Sequence, residues 1–405
     1  MSDARLIYAA GFIRSATVSL AGVLLAIHLG QIGFSATTIG VVIGVGLVGA
    51  SLVTIAVSVR GDRWGRKRVL MAVAVLTAIG YFAVATAAGA VALFALAFIG
   101  LLNGMGRDRG PASALDQAIL PQTVPPERRT WALAWYNVVI DSGHAIGALG
   151  ASIPMLLMRH ASMVSVSAHR AAFFLCAALT LAALVPLAAL TPRIEVAEGD
   201  SPAPFSLPDA RSRGVIARLA LLFGLDSIGG GFLGSALVAY WFFQRYGASE
   251  GDLAVLFFAA RVLNAMSHVA AAWLARRIGL LNTMVFTHLP SSLFLLAAPA
   301  APTLGIAAAL FLAREGLVEM DVPTRQSYVM AVVKPNERTF ASGVTNVTRN
   351  AAWAIGPSVA GALMQHVALA GPLFIGGTLK IAYDVLLYRS FRHVRPPEEQ
   401  PGRPM

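Results

Sequence analysis

The chain has 405 residues, 57% of them hydrophobic and 13% charged, with 31 Lys and Arg against 20 Asp and Glu. A mean hydropathy of +0.70 excludes an ordinary soluble protein, in which about a quarter of residues are charged. The net charge of +11 does not indicate nucleic acid as a partner, because the cations gather in short loops that are expected to share one side of a bilayer.

Apolar runs of about 20 residues recur along the chain, each long enough to cross about 30 Å of hydrocarbon as a helix. The short alternating segments of a spanning barrel are absent. Twelve transmembrane helices are predicted, over 5–29, 36–59, 69–88, 90–112, 131–157, 171–191, 214–242, 252–275, 280–299, 303–325, 339–365 and 372–390. The fold expected is therefore an all-α membrane protein. Between the sixth and seventh spans, Pro, Ser, Asp and Glu make a stretch too polar to enter lipid. It divides the chain into a first six-helix bundle (1–191), a linker (192–213), a second bundle (214–391) and a tail (392–405). The single Cys176 lies in an apolar run and can form no internal disulfide.

Loop charge sets orientation. Arg60 to Arg68, Arg128 and Arg129, Arg276 and Arg277, Lys334 and Arg338, and Arg389, Arg392 and Arg395 all fall on one side. Loops on the other side near 30–35, 88–90, 300–302 and 366–371 carry neither Lys nor Arg, and elsewhere on that side only Arg159, Arg170 and Arg245 fall. The positive side faces the cytoplasm. The expectation is a multi-pass protein of the cytoplasmic membrane with both ends inside.

The two halves repeat in parallel. One constant offset pairs Gln117 with Gln326, Arg129 with Arg338, Thr130 with Thr339 and Asn137 with Asn346. A slightly larger offset pairs Gly33 with Gly247, Ser35 with Ser249, Arg63 with Arg277 and Gly65 with Gly279. Two parallel six-helix bundles suit a rocking carrier with a site near mid-membrane.

Between the second and third spans runs Ser58-Val-Arg-Gly-Asp-Arg-Trp-Gly-Arg-Lys-Arg68. It resembles the signature loop of the major facilitator superfamily, G-x-x-x-D-R-x-G-R-[RK]. Asp62, Arg63, Gly65, Arg66 and Lys67 match, and Ser58 stands where the family has Gly. In the second copy, Ala275-Arg276-Arg277-Ile278-Gly279, Arg276 replaces the acid. The resemblance implies that Asp62 joins the bundles on the cytoplasmic side in one state and releases in the other. A carboxylate at a helix end can also pair with an Arg or meet a facing helix N-terminus, and the loop could serve topology alone.

Ionisable residues inside the spans each cost roughly 2.5–3.5 kcal/mol to insert and should face the protein interior. Counting along the helices places Arg14, Asp141, His144, Asp226, Arg261, Arg314, Glu315 and Arg349 near mid-membrane. Helical spacing groups Asn137, Asp141 and His144 on one face, and Asn346, Arg349 and Trp353 on another. Arg261, Asn264 and His268 form a third. The resemblance implies that spans one, four, seven and ten line the cavity, which adds Asn103, Arg107 and Asp108. These residues serve either substrate or proton, or they pair to hold helices in register. Ile228-Gly-Gly-Gly231 after Asp226 should loosen the seventh span. Lys380 and Asp384 are spaced for a pair within one helix.

Gly44-Val-Gly-Leu-Val-Gly49 lies in an apolar run without the strand that a dinucleotide site requires. No nucleotide loop, metal cluster or catalytic set is legible, so neither cofactor nor metal is expected and the chain is not read as an enzyme. The reading is a monomeric secondary active transporter working by alternating access, with a small-molecule substrate, a proton or other coupling ion, and the lipid bilayer as partners. Efflux of a small organic compound is the direction expected. The alternatives are uptake of a polar or anionic metabolite, and a receptor or scaffold that transports nothing.

Overall fold

The structure, a computed structural model, describes residues 2–87, 89–108, 110–125, 129–195, 210–333 and 338–394. These are almost entirely helical, and helix meets each predicted span in order. The helices are α1 (Asp3–Gln31), α2 (Ala36–Trp64), α3 (Arg66–Thr86), α4 (Ala90–Ile99), α5 (Pro111–Ile119), α6 (Arg129–Gly150), α7 (Ile153–Ala161), α8 (Ser165–Ala182), α9 (Leu184–Ala188), α10 (Ala210–Gly231), α11 (Ser235–Tyr246), α12 (Glu250–Ile278), α13 (Leu280–Ala297), α14 (Leu304–Val318), α15 (Asp321–Val332), α16 (Arg338–His366) and α17 (Gly371–Phe391). Among the described residues, eight segments are long and apolar enough to cross a membrane. The fourth, tenth, eleventh and twelfth predicted spans fall short by that measure because they are broken or carry too much polarity.

Among the described residues five predicted spans are divided between two helices: the fifth into α6 and α7, the sixth into α8 and α9, and three others as follows. The fourth is α4 and α5, separated by a turn in which Leu101 and Gly106 have φ of 52° and 67°. This corrects the expectation of one helix over 90–112, since α5 continues to Ile119. The tenth span breaks between α14 and α15 and extends past Arg325 to Val332. The seventh breaks after Gly231, where the glycine run anticipated it.

The chain forms two compact units. One comprises Met1–Ser201, Gly234–Ala259 and Pro357–Leu369; the other comprises Pro202–Leu233, Ala260–Gly356 and Ala370–Met405. In the first, Ile7, Leu70, Ile119, Leu120 and Ile194 are nearly or fully buried in one core. In the second, Leu219, Phe223, Met284, Tyr328, Tyr383 and Leu387 do the same. Large apolar side chains also cover the outside, including Val91 (82% exposed) and Val269 (75%). Such a surface is unfavourable in water and neutral in lipid tails.

The sequence repeat has a backbone counterpart. Gly33 and Gly247, paired by offset, have φ of 94° and 65°; Gly65 and Gly279 have 87° and 88°. A side chain at these helix ends would be strained, so glycine holds equivalent turns in both halves.

Candidate functional site: buried ion clusters in the broken spans

In the first unit α1 lies along α6, brought close by glycine. A Cβ on Gly147 would stand 2.0 Å from the Ala16 carbonyl, and one on Gly143 would stand 2.0 Å from Ser15 Oγ. These fifth-span glycines therefore serve close packing. The packing sets Arg14 opposite the break in the fourth span. Its Nε donates to Asp108 Oδ2 at 2.7 Å, and its Nη2 donates to Asp116 Oδ2 at 2.6 Å. Nη2 also reaches the Tyr136 hydroxyl at 3.2 Å, which itself donates to Asp116 Oδ2 at 3.0 Å. One guanidinium thus faces two buried carboxylates, and Asp116 Oδ1 has no hydrogen-bond partner.

His144 completes the cluster. Its Nε2 accepts the Asp108 backbone N–H at 2.9 Å, which requires a lone pair on Nε2 and places the proton of the neutral ring on Nδ1. That nitrogen faces Asp141 at 3.8 Å. Asn137 is exposed and not part of the cluster. Asn103 closes the turn itself: it donates to the Arg107 carbonyl at 2.7 Å and accepts from Met105 N at 2.8 Å. Asn103 thus has a local role in closing the turn, with both ends of its amide engaged. Arg107 is half-buried in the same turn.

The second unit holds a larger cluster. Asp226, on α10, accepts Lys380 Nζ of α17 at 2.6 Å and Arg325 of α15 at 3.3 Å. Arg325 also pairs with Asp321 at 2.7 Å. His288 of α13 has Nε2 3.7 Å from Asp226 and Nδ1 2.9 Å from Asp384 Oδ1. The pair expected within one helix, Lys380 with Asp384, is replaced by two pairs between helices. The Tyr383 ring meets His288 edge-on, with centroids 5.8 Å apart.

Elsewhere in this unit Asn264 donates to the Glu315 carbonyl at 2.8 Å and to its carboxylate at 2.9 Å. Glu315 pairs with Arg314, and Arg261, one turn before Asn264, is buried at 7% exposure. Arg349 Nε donates to Ser227 Oγ at 3.3 Å. The side chain of Asn346 lies outside the described residues.

Asp116, Tyr136, Lys380, His288, Asp384, Arg325 and Asp321 were not expected as site residues. Asp116 and Arg325 immediately precede the repeated Gln117 and Gln326. They therefore hold equivalent positions on spans four and ten, opposite Arg14 on span one and Asp226 on span seven. The two halves carry the same pair with its charges exchanged.

At the signature loop, Arg63 is exposed and Gly65 makes the turn. Arg66 is buried, donating to Gln122 Oε1 at 2.7 Å and to the Ile194 carbonyl at 3.1 Å. Lys67 Nζ caps the end of the sixth span through the Ala188 and Leu190 carbonyls at 2.6 and 2.8 Å. Glu195 accepts the backbone N–H groups of Arg66 and Lys67 at 2.7 and 3.1 Å. A linker carboxylate thus sits at the N-terminus of α3, where the helix dipole favours it. The side chain of Asp62 lies outside the described residues.

The comparisons agree with this architecture. A curated protein of Saccharomyces cerevisiae, the uncharacterized membrane protein YJR124C, is 24% identical over 416 residues, covering 95% of this chain and 93% of that one. Among solved structures, the nucleoside transporter NupG superposes with a TM-score of 0.73 at 14% identity, covering 97% of this chain and 99% of that chain. The xylose transporter XylE from E. coli, in an inward open conformation, gives 0.72 at 14% identity, with 98% and 97% covered. A bacterial homologue of the iron transporter ferroportin gives 0.70 at 17% identity, with 95% and 98% covered. The family model of the Major Facilitator Superfamily matches residues 7–357 and 219–404. With helices in this order and a family match across nearly its whole length, the chain belongs to the Major Facilitator Superfamily.

Proposed function

We propose that this membrane transporter is proton-coupled and carries a small organic compound by alternating access between two six-span halves. The observation that carries the coupling is the charge balance around Asp226. Asp226, Asp321 and Asp384 oppose Lys380 and Arg325, with His288 joining Asp226 to Asp384. These three acids outnumber the two bases by one, and a proton taken up by the cluster supplies the missing charge. Charge left unbalanced inside a bilayer is costly, so holding or losing that proton shifts which helices stay together. One protein of similar fold, with a TM-score of 0.73 at 15% identity, is a D-xylose-proton symporter.

The first-unit cluster, Arg14 with Asp108 and Asp116, supports a polar solute. It has an excess acceptor in Asp116 Oδ1, suited to a hydrogen-bond donor or cation on the cargo. Asp62 and the basic loop are assigned the cytoplasmic gate. The protein is placed in the cytoplasmic membrane as a monomer, with both ends inside.

The test is flux in reconstituted vesicles. A panel of small solutes is first screened by thermal stabilisation, because a ligand that binds the folded state alone raises its apparent stability. Flux of the stabilising solute under an imposed pH gradient is then measured with and without a protonophore. Flux that follows the gradient and collapses with the protonophore is expected, and its sign gives the direction, outward for the export expected from sequence. Saturable flux indifferent to the gradient would remove the coupling.

A further inference from the structure

At the end of the protein where α1 finishes and α8 and α12 begin, two histidines and a glutamate are buried together. His28 and His169 are both fully buried and Glu250 is 7% exposed. The His169 ring stacks on His28 with centroids 5.9 Å apart and planes 9° from parallel. His169 Nδ1 lies 2.9 Å from the Ser165 carbonyl. A carbonyl only accepts, so that nitrogen carries the proton and Nε2 of the neutral ring is a bare lone pair. Nε2 faces Glu250 Oε1 at 3.5 Å and has no hydrogen-bond partner. By the same logic His28 Nε2–H donates to the Val84 carbonyl at 3.3 Å.

A lone pair opposite a carboxylate inside the protein repels it. One added proton turns the contact into an N–H···O pair with opposite charges. Stacked imidazolium rings would repel each other, so only His169 of the two takes the charge. The other groups brought here are few. Arg170 on α8 is exposed, as are Arg159 and His160 of α7. Asp252 is tied to Ser249 at 2.7 Å, and Tyr81 lies one turn from Val84 on α3.

We propose that His169 and Glu250 form a proton-binding latch that closes this end of the transporter when one proton is shared between them. By the sequence division His169 belongs to the first six-span half and Glu250 to the second, and both lie in the first compact unit. Other contacts join the halves at the same end: Thr37 N donates to Gln365 Oε1 at 3.0 Å, and a Cβ on Gly40 would stand 2.2 Å from the Pro357 carbonyl. The latch rests on the reading above that these halves separate during transport. When the proton leaves to water, the pair loses its attraction and this end is released. The site is distinct from the Asp226 cluster and adds a second point at which protons act.

The test uses the full chain with Cys176→Ser and a cysteine pair at Thr37 and Gln365. Cross-linking rates are measured from acid to alkaline pH, relative to the same chain carrying Glu250→Gln. That reference cancels the thiols' own titration, and its amide donates permanently to His169 Nε2, which holds the latch closed. The ratio of parent to Glu250→Gln should be near one in acid and fall at least about fivefold as the pair deprotonates. Glu250→Ala should give a low ratio throughout, and His169→Gln should remove the pH dependence if Glu250→Ala fails to fold. A parent ratio that does not change with pH overturns the latch. Gradient-driven flux of the same chain tests the transport reading separately: flux with a constant ratio removes only the latch, and a moving ratio without flux removes only the coupling.

Discussion

Lys380 Nζ of the last helix lies 2.6 Å from Asp226 Oδ1 of the seventh span, and not against Asp384 one turn away on its own helix. The pair spans α10 and α17, with Arg325 and His288 on the remaining sides of Asp226. Removing Asp226 therefore leaves the buried Lys380 without a carboxylate partner, while Arg325 keeps Asp321.

Asp226→Asn should lower the stability of the purified protein by about 3–5 kcal/mol, the range for breaking a buried ion pair. Adding Lys380→Met should recover a large part of that loss. Thermal melts of the single and double variants check this, and a double variant no more stable than Asp226→Asn alone would show that the pair does not act as a unit.

Arg14→Lys keeps the charge but not the fork that reaches Asp108 and Asp116 through different nitrogens. One of the two carboxylates then loses its partner, at about 1–3 kcal/mol. The expected result is a folded protein with solute-binding affinity and flux sharply reduced, read by ligand-induced thermal shift and vesicle transport. Flux equal to the parent's would exclude the Arg14 cluster from the site.

Gly22→Ala should be poorly tolerated. The new methyl group would stand 2.5 Å from the Cα of Gly106 in the fourth-span break. Backbone cannot yield as a flexible side chain does, so a cost of about 1–3 kcal/mol is expected. Gly305→Ala, where the added Cβ meets nothing within 4 Å, is the control for the same measurement.

Glu195→Gln keeps one acceptor oxygen in place of the two that serve the Arg66 and Lys67 N–H groups, and loses the charge at the start of α3. Glu195→Ala loses both. Stability should fall in the order parent, Gln, Ala, with the last step about 1 kcal/mol as for an N-cap. Equal melting temperatures would mean that the linker contact contributes nothing.

The sequence by itself determined the membrane class, the order of the spans and the repeat. Hydrophobic length and the placement of Lys and Arg are local properties that survive without any knowledge of packing. Gly65 and Gly279 were legible for the same reason, since a turn between spans needs left-handed backbone wherever the helices end up. The glycine run after Asp226 likewise announced the break in the seventh span. Partnership was not legible. Asp116 fell beyond the end predicted for the fourth span because that span is interrupted at 100–110, and apolar run length cannot see a helix resuming after a turn. Lys380 and Asp384 had an obvious local match at helical spacing, and only the tertiary structure brought Asp226 and His288 close enough to outcompete it. His169 and Glu250, 81 positions apart, carried no mark at all. Buried charges are satisfied by whichever opposite group the packed helices deliver, and that choice depends on distances in space that no spacing along the chain encodes.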